Sequence, residues 1–560
     1  MLRSLLSSPL ALAALVALAN AAKPVTVDDT AYLAYARHIA TSPADPYGFT
    51  IFWWDRPEPA MTVLAPPVVP YWLACGVYLF GDSPALLKLW LFPFVWSLAW
   101  ALRGLLVRFA RGAEDLALPL LVLSPAVLPT VNLMLDVPAV ALALASVELF
   151  TRARGRYRWP LALAAGAVAA FAMQAKYTAF VAPAAIAWYG LTHRRIGTAV
   201  AAVAVCAALF AGWELWLAEE YGRSHFWFHA TATASSPPPE GRSKLSAFVG
   251  DKLQLVPALA SYLGCLAVGA GLLAASALRV PRRWLAGVAV IWCVGFVLIA
   301  ALPRRWMAIN PGVTAGTVFW HASGLLWLAT ALGCAAVLLV RVKKGLGVRL
   351  RADSLFLVGW LALEVAAALA LTPFPAARRV VGVTLVMGLL AARVVSRVRR
   401  INGARTPPRW VLALGAGAGV AVAAIDLLDA FPEKVCAELA ADVVRDRPET
   451  SAVWYAGHWG FQHYCERAGM QPLVPGETLI RADDYVVLPV YPDDGFNRPY
   501  AGFEFVEPAR IADEVAVLEW SDPLSAKTVP NFYGGIEPIA SRDHPRLRVR
   551  VYRLRTEWAP

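Results

Sequence analysis

Charge is scarce in this sequence. Only 16% of its 560 residues are Asp, Glu, Lys or Arg, while 59% are hydrophobic. Soluble domains carry about a quarter charged residues, so the deficit excludes a soluble globular protein and indicates an integral membrane protein. Glycine-rich nucleotide motifs are missing as well. With no phosphate-binding loop and no dinucleotide fingerprint, nothing supports ATP-driven transport by this chain alone. The seven cysteines include no CxxC pair, which removes zinc-ribbon and thioredoxin-like chemistry. Most sit singly in apolar runs, where Cys behaves as a small hydrophobe. No internal repeat is visible, so the paired halves of a transporter are lacking too.

What is present is divided along the chain. The net charge of +12 is the sum of +18 over residues 1–429 and −6 over residues 430–560. The positive charge clusters in short loops between apolar runs, at 152–158, 193–195, 279–283, 341–351 and 397–405. That is the pattern of cytoplasmic loops, and it argues against nucleic acid as a partner. Apolar runs of near-spanning length recur from 4–22 to 410–428. They number about thirteen, including 114–132, 136–151, 159–175, 284–302 and 380–396. The proline- and aromatic-rich stretch 66–81 reads as an interfacial helix. With the N-terminus inside, the basic loops are cytoplasmic. Residues 23–83, the turns at 133–135 and 174–176, residues 372–379 and everything after 429 then lie outside. Residues 1–21 are either the first helix or a cleaved signal peptide ending at Ala19-Asn20-Ala21; the loop that follows is outside either way.

After residue 430 charges return. Short alternating runs ("SAVWYAG", "DYVVLPVY", "AGFEFVE", "EVAVLEW", "LRVRVYRLR") predict strands, and "HWGFQHYCERAG" predicts a helix stopped by Gly. The expected fold is an all-α polytopic membrane protein with a small extracytoplasmic α/β domain. The expected domains are 1–429 and 430–560. Cys436 and Cys465 are the two cysteines of the second domain; outside the cytoplasm they can form a disulfide, which sequence alone does not fix.

The informative residues are lone charges near the outer ends of the apolar runs, where a charge is costly without a partner or a task. Asp28 and Asp29 follow the first run and precede "TAYLAYARHIA"; one of them can cap that helix. Asp136 is the only charge between Asp115 and Glu148 and can cap the helix after it. Lys176, in "MQAKYTAF", either snorkels to headgroups or meets a phosphate. Arg378 and Arg379, in "TPFPAARRVVG", and Arg304 and Arg305 are further outward basic sites suited to phosphate. His458 and His463 lack a nearby acidic partner and read as structural.

Taken in order, these motifs resemble the C-type membrane glycosyltransferases, in particular bacterial relatives of protein O-mannosyltransferases and lipid A aminoarabinose transferases (glycosyltransferase family 39-like). "VDDTAYLAYA" matches the acidic pair of the first outer loop. "APPVVPYWLACGVYLFGDSPALLKL", "LSPAVLPTVNLMLDVPA", "MQAKYTAF" and "ARRVVGVTLVMGLLAA" follow in the family's order over most of residues 1–400. One departure is Ala65, where many relatives place a polar residue before the Pro-Pro; Arg56 or Glu58 in "DRPEP" are the candidates to stand in. The resemblance implies inverting transfer of a sugar from a polyprenyl-phosphate donor to an acceptor hydroxyl on protein, lipid or polysaccharide. It implies Asp28 as general base, with Lys176 and Arg378 or Arg379 on the lipid phosphate. Asp29 and Asp136 would orient the acceptor or hold a divalent metal; no other cofactor is implied. It also implies a bacterial inner membrane, with membrane lipids as surroundings. The competing readings are a transporter or lipid flippase, and a non-catalytic scaffold presenting the C-terminal domain.

Overall fold

The computed structural model describes residues 7–53, 56–235, 244–278, 290, 292–297, 315–340, 348–372, 375–402, 409–490, 511–520, 528–530, 537–541 and 547–559. The span expected at 284–302 and the strand expected at "AGFEFVE" fall largely or wholly outside these residues, as do Arg304 and Arg305.

The chain begins with α1 (Pro9–Ala21), a short connection, and α2 (Asp29–Thr41). A small hairpin, β1 (Thr50–Phe52) with β2 (Pro57–Pro59), precedes α3 (Val68–Phe80), the helix expected in the proline-rich stretch. There follow α4 (Pro84–Trp90), α5 (Phe92–Phe109), α6 (Glu114–Val122), α7 (Asp136–Arg152), α8 (Arg158–Ala175), α9 (Val181–Thr192) and α10 (Ile196–Tyr221). The bundle continues with α11 (His225–Ser235), α12 (Lys244–Leu266), α13 (Val268–Leu278), α14 (Ala315–Val340), α15 (Val348–Ala370), α16 (Val381–Asn402) and α17 (Arg409–Asp429). Among the described residues six helices are long and apolar enough to cross a membrane, or seven if the pair α12–α13, bent by 69°, is one span.

One expected span is replaced. Over 114–132 the helix stops at Val122, and the chain continues as a buried irregular segment with a single 3-10 turn at Leu128–Thr130. Pro125 and Pro129 account for this, since each removes an N–H and clashes with the preceding turn. Such backbone is tolerated at depth because protein surrounds it.

Close helix contacts follow from small residues. A Cβ on Gly264 would lie 2.1 Å from the Trp320 carbonyl oxygen, and one on Gly324 would lie 1.6 Å from that of Ala260. Only glycine allows α12 and α14 to cross so tightly. Among the described residues helix α16 is the most enclosed span, with 89% of its apolar window buried. At the basic-loop end of the bundle, Asp353 on α15 receives Arg108 (2.7 Å), His193 (2.9 Å) and Arg393 (3.5 Å) from α5, the end of α9, and α16. These contacts tie four helices together far from the turn that opens α16.

After α17 comes α18 (Phe431–Val443), then a five-stranded mixed sheet. Its order is β4 (Gln471–Pro472), β3 (Val453–Tyr455), β5 (Tyr485–Val490), β9 (Arg548–Leu554) and β6 (Ala512–Glu519), and a separate antiparallel pair, β7 (Thr528–Pro530) with β8 (Ile539–Ser541), falls between β6 and β9 in the chain. β3 is parallel to β4 and β5, and β9 is antiparallel to β5 and β6. Alternation decides the faces: Val487, Val549 and Val551 point toward α18 and α19 (Trp459–Arg467), while Val486, Leu488 and Tyr552 form the core beneath the other face. Cys436 and Cys465 are free thiols buried in the helix-facing core.

Candidate active site

Four separate stretches deliver charge to one point. Asp28 sits at the N-cap position of α2, but its side chain makes no cap hydrogen bond. It turns instead toward Arg378, whose Nη2 lies 2.7 Å from Asp28 Oδ2. Arg378 belongs to the 3-10 turn Ala377–Val380 that opens α16. Its Nη1 is 3.6 Å from Asp136 Oδ2. Asp136, in the first turn of α7, also accepts from Lys176, the residue that ends α8. Asp28, Arg378, Asp136 and Lys176 thus form one chain of ion pairs. Asp136 and Arg378 are 4% and 6% exposed, so water screens these charges weakly.

Local backbone sets each direction. Val27, just before Asp28, has φ +47°, a conformation β-branched residues rarely adopt. Such a residue costs about 1–3 kcal/mol and persists only where its surroundings over-determine it. Lys176 is extended (φ −162°) between α8 and the next 3-10 turn, which swings its side chain off the helix axis. Beside it, the Tyr177 hydroxyl lies 2.6 Å from His225 Nδ1 and 3.2 Å from Glu214 Oε1, fixing that turn. Burial, more than any neighbouring charge, pulls the Lys176 ammonium down to about 8; Asp136 opposes the shift and Arg379 and Arg378 add to it.

Three members of the ion chain, Asp136, Lys176 and Arg378, line a cleft with about 710 Å³ of empty space, its opening included; Asp28 does not line it and joins it through Arg378. Asp136, Lys176, Arg378 and Arg379 line one end, and the wall continues down α7 and α15 between small residues such as Ala139, Ala143 and Ala367. These alanines leave the width that larger side chains would fill. Arg379 also lines a smaller, mostly apolar cavity beside Tyr262 and Thr372. Lys176, Arg378 and Arg379 gather at this end with Asp136, and Glu364 lines the same cleft further along α15.

The acidic pair is divided. Asp29 is fully buried and faces away from Asp28, 3.6 Å from Lys88 on α4. Burial raises its carboxyl pKa against the lowering effect of Lys88 and Lys23. Adjacent helical residues are rotated by about 100°, so one element cannot aim both carboxylates at one target. Asp29 and Asp136 therefore do not converge. The Asp28 and Asp136 carboxylates are occupied by Arg378 and Lys176, and no group of three His, Cys, Asp or Glu among the described residues could hold a metal. These residues do not fit a divalent ion.

Arg56 and Glu58 lie at the β1–β2 hairpin and are not among the cleft-lining residues. Glu58 Oε2 accepts from Thr62 at 3.4 Å. The segment before Pro66 is held instead by Tyr47, whose hydroxyl donates to the Ala65 carbonyl at 2.8 Å, and by His225, 3.2 Å from that of Val63. His458 and His463 are buried in the C-terminal part, and burial lowers them to about 3 and about 4, so both are neutral imidazoles.

Two site residues were not anticipated from the sequence. Tyr32, one turn beyond Asp28, is buried within electrostatic reach of Asp28, Arg378 and Asp136. Its i+4 spacing from Asp28 was the available signal. Glu364 lines the cleft on α15, where it accepts from Trp360 Nε1 at 3.0 Å. It is the lone acid of "SLFLVGWLALEVAAALA", the same signal that singles out Asp136.

No family model matches this chain, and no curated protein matches it. Solved structures give loose likenesses. The apo oligosaccharyltransferase of Archaeoglobus fulgidus is 12% identical with a TM-score of 0.47, over 83% of this chain and 64% of that one. ArnT from Cupriavidus metallidurans bound to undecaprenyl phosphate is 14% identical with a TM-score of 0.42, over 97% of both chains. AglB from A. fulgidus with an inhibitory peptide and a dolichol-phosphate is 13% identical with a TM-score of 0.47, over 86% of this chain and 69% of that one. This chain therefore spans less than two thirds of the first of these proteins.

Proposed function

We propose that this integral membrane protein is an inverting C-type glycosyltransferase. It moves a sugar from a polyprenyl-phosphate donor to an acceptor hydroxyl on protein, lipid or polysaccharide. The single observation that carries this reading is the ion chain Asp28–Arg378–Asp136–Lys176 at the head of an apolar cleft. A cation-bearing head above a lipid-like slot suits an amphiphile with a phosphate, and Asp28, paired to Arg378 of that head, suits a base. The order of sequence motifs supports the same reading.

In the proposed reaction the acceptor oxygen attacks the anomeric carbon as the bond from that carbon to the phosphate oxygen breaks. The acceptor proton passes to Asp28, and the electron pair leaves on the lipid phosphate. Lys176 and Arg379 face the developing charge, where fixed positive groups in a poorly solvated site are most effective. Arg378 orients Asp28, and Asp136 anchors Lys176 and Arg378. The site end of the bundle would face outside the bacterial inner membrane, with the Arg-rich loops in the cytoplasm.

Membranes containing the protein, supplied with a panel of radiolabelled polyprenyl-phosphate sugars and cell-envelope acceptors, test the reaction class. The expected result is label on an acceptor together with release of free polyprenyl phosphate. Movement of intact labelled lipid across the bilayer without release would contradict it.

A further inference from the structure

The C-terminal part has no role in the proposed chemistry, yet it touches the stretch that carries Asp28. The Val25 N–H donates to the Tyr464 hydroxyl at 2.9 Å. The Thr30 hydroxyl donates to the Trp459 carbonyl at 2.6 Å. A Cβ on Gly460 would lie 2.4 Å from the Val25 carbonyl oxygen and 3.2 Å from Thr26 Cα, so α19 approaches as closely as backbone permits. Trp459 itself, whose carbonyl accepts from Thr30, has φ +64°, a second left-handed residue at this contact. From below, Lys88 Nζ donates to the Lys23 and Pro24 carbonyls at 2.7 and 3.0 Å.

These contacts are placed around one point. Val25 is three residues before Asp28 and Thr30 is two after it. Between them lies Val27, the residue with unfavourable φ, followed by Asp28, whose carboxylate meets Arg378. A segment held on both sides of a strained residue has one conformation available, and a strained residue released on one side relaxes.

We propose that α19 of the C-terminal part is a positioning element for the catalytic loop. Thr30, Tyr464 and Gly460 hold the Val27–Asp28 turn so that the Asp28 carboxylate meets Arg378. The role assigned to Asp28 rests on the function proposed above; the hold on the turn does not. Thr30, Tyr464 and Gly460 are not among the cleft-lining residues, so their effect falls on the step that needs Asp28 and not on donor binding.

The test uses the full chain in lipid nanodiscs, with Thr30→Val and Tyr464→Phe combined, each removing one hydroxyl and little volume. Two readouts are taken: amide hydrogen exchange over residues 24–32, and kcat against donor KM. The expected result is faster exchange at 24–32 with α7 and α16 unchanged. It includes a kcat loss approaching about 10²-fold at donor KM within about twofold. Tyr464→Phe combined with Thr30→Ser, which keeps a hydroxyl at residue 30, should recover most of that kcat. Unchanged exchange at 24–32 would overturn the proposal, as would loosening spread over the whole chain or a KM effect equal to the kcat effect. If the wild type transfers no sugar from any donor, the proposed function fails. Exchange then decides the hold alone, being faster at 24–32 if it exists and unchanged if it does not.

Discussion

Arg378 Nη2 lies 2.7 Å from Asp28 Oδ2, joining the loop after the first helix to the start of α16, 350 residues later. The same guanidinium reaches Asp136 at 3.6 Å. Arg378 is therefore the hub that holds two carboxylates apart yet in one site. Arg378→Gln should leave the two acids facing each other without their shared cation. Transfer should fall by about 10²-fold or more, with smaller loss in Arg378→Lys, which keeps the charge but not the fork. Equal activity in wild type and Arg378→Gln would remove it from the site.

Lys176→Ala should weaken donor binding by about 10- to 100-fold, the usual weight of a hydrogen bond to a charged group. Titration of short-chain polyprenyl phosphate against purified protein reads this directly. An unchanged Kd would return Lys176 to a purely structural pairing with Asp136.

The same lysine predicts a pH dependence. Its ammonium is held down to about 8, so the cation is present below that pH and lost above it. Donor affinity should be highest below pH 8 and decline as pH rises through about 8, while Lys176→Ala should show a flat profile there. A decline of the same size in both proteins would assign the titration to another group.

Asp28 and Asp29 should fail differently. Asp29→Asn leaves Lys88 buried without its counter-charge, a loss of about 3–5 kcal/mol for a broken buried pair. It should show as a lowered thermal inactivation temperature. Its kcat loss should be smaller than that of Asp28→Asn by about tenfold or more. The reverse order would restore Asp29 as the working acid.

Much of the site was legible in the sequence because a charge in an apolar run needs a reason. That rule alone picked out Asp136, Lys176, Arg378 and Arg379, and the structure brings them together. It did not separate Asp28 from Asp29, because neighbouring residues share a sequence context but not a direction. It also missed Tyr32, whose phenol is ordinary in an aromatic-rich stretch, and it named Arg56 and Glu58, which are not among the cleft-lining residues. In the fold, the length of apolar runs and strand alternation located α7, α8 and the strands β3, β5, β6 and β9 to within a few residues, while α16 runs six residues past its expected end. The irregular stretch after Val122 was read as helix from hydropathy, although Pro125 and Pro129 forbid it. The grip of α19 on the Asp28 turn joins residues more than 400 positions apart, and no local pattern encodes such a contact.

The most direct measurement is single-turnover transfer by Asp28→Asn beside wild type, with donor binding measured on the same preparations. The account predicts donor Kd within about threefold of wild type and a transfer rate lower by about 10²–10⁴-fold, the weight of a positioned general base. Wild-type transfer by Asp28→Asn, at unchanged binding, would contradict it.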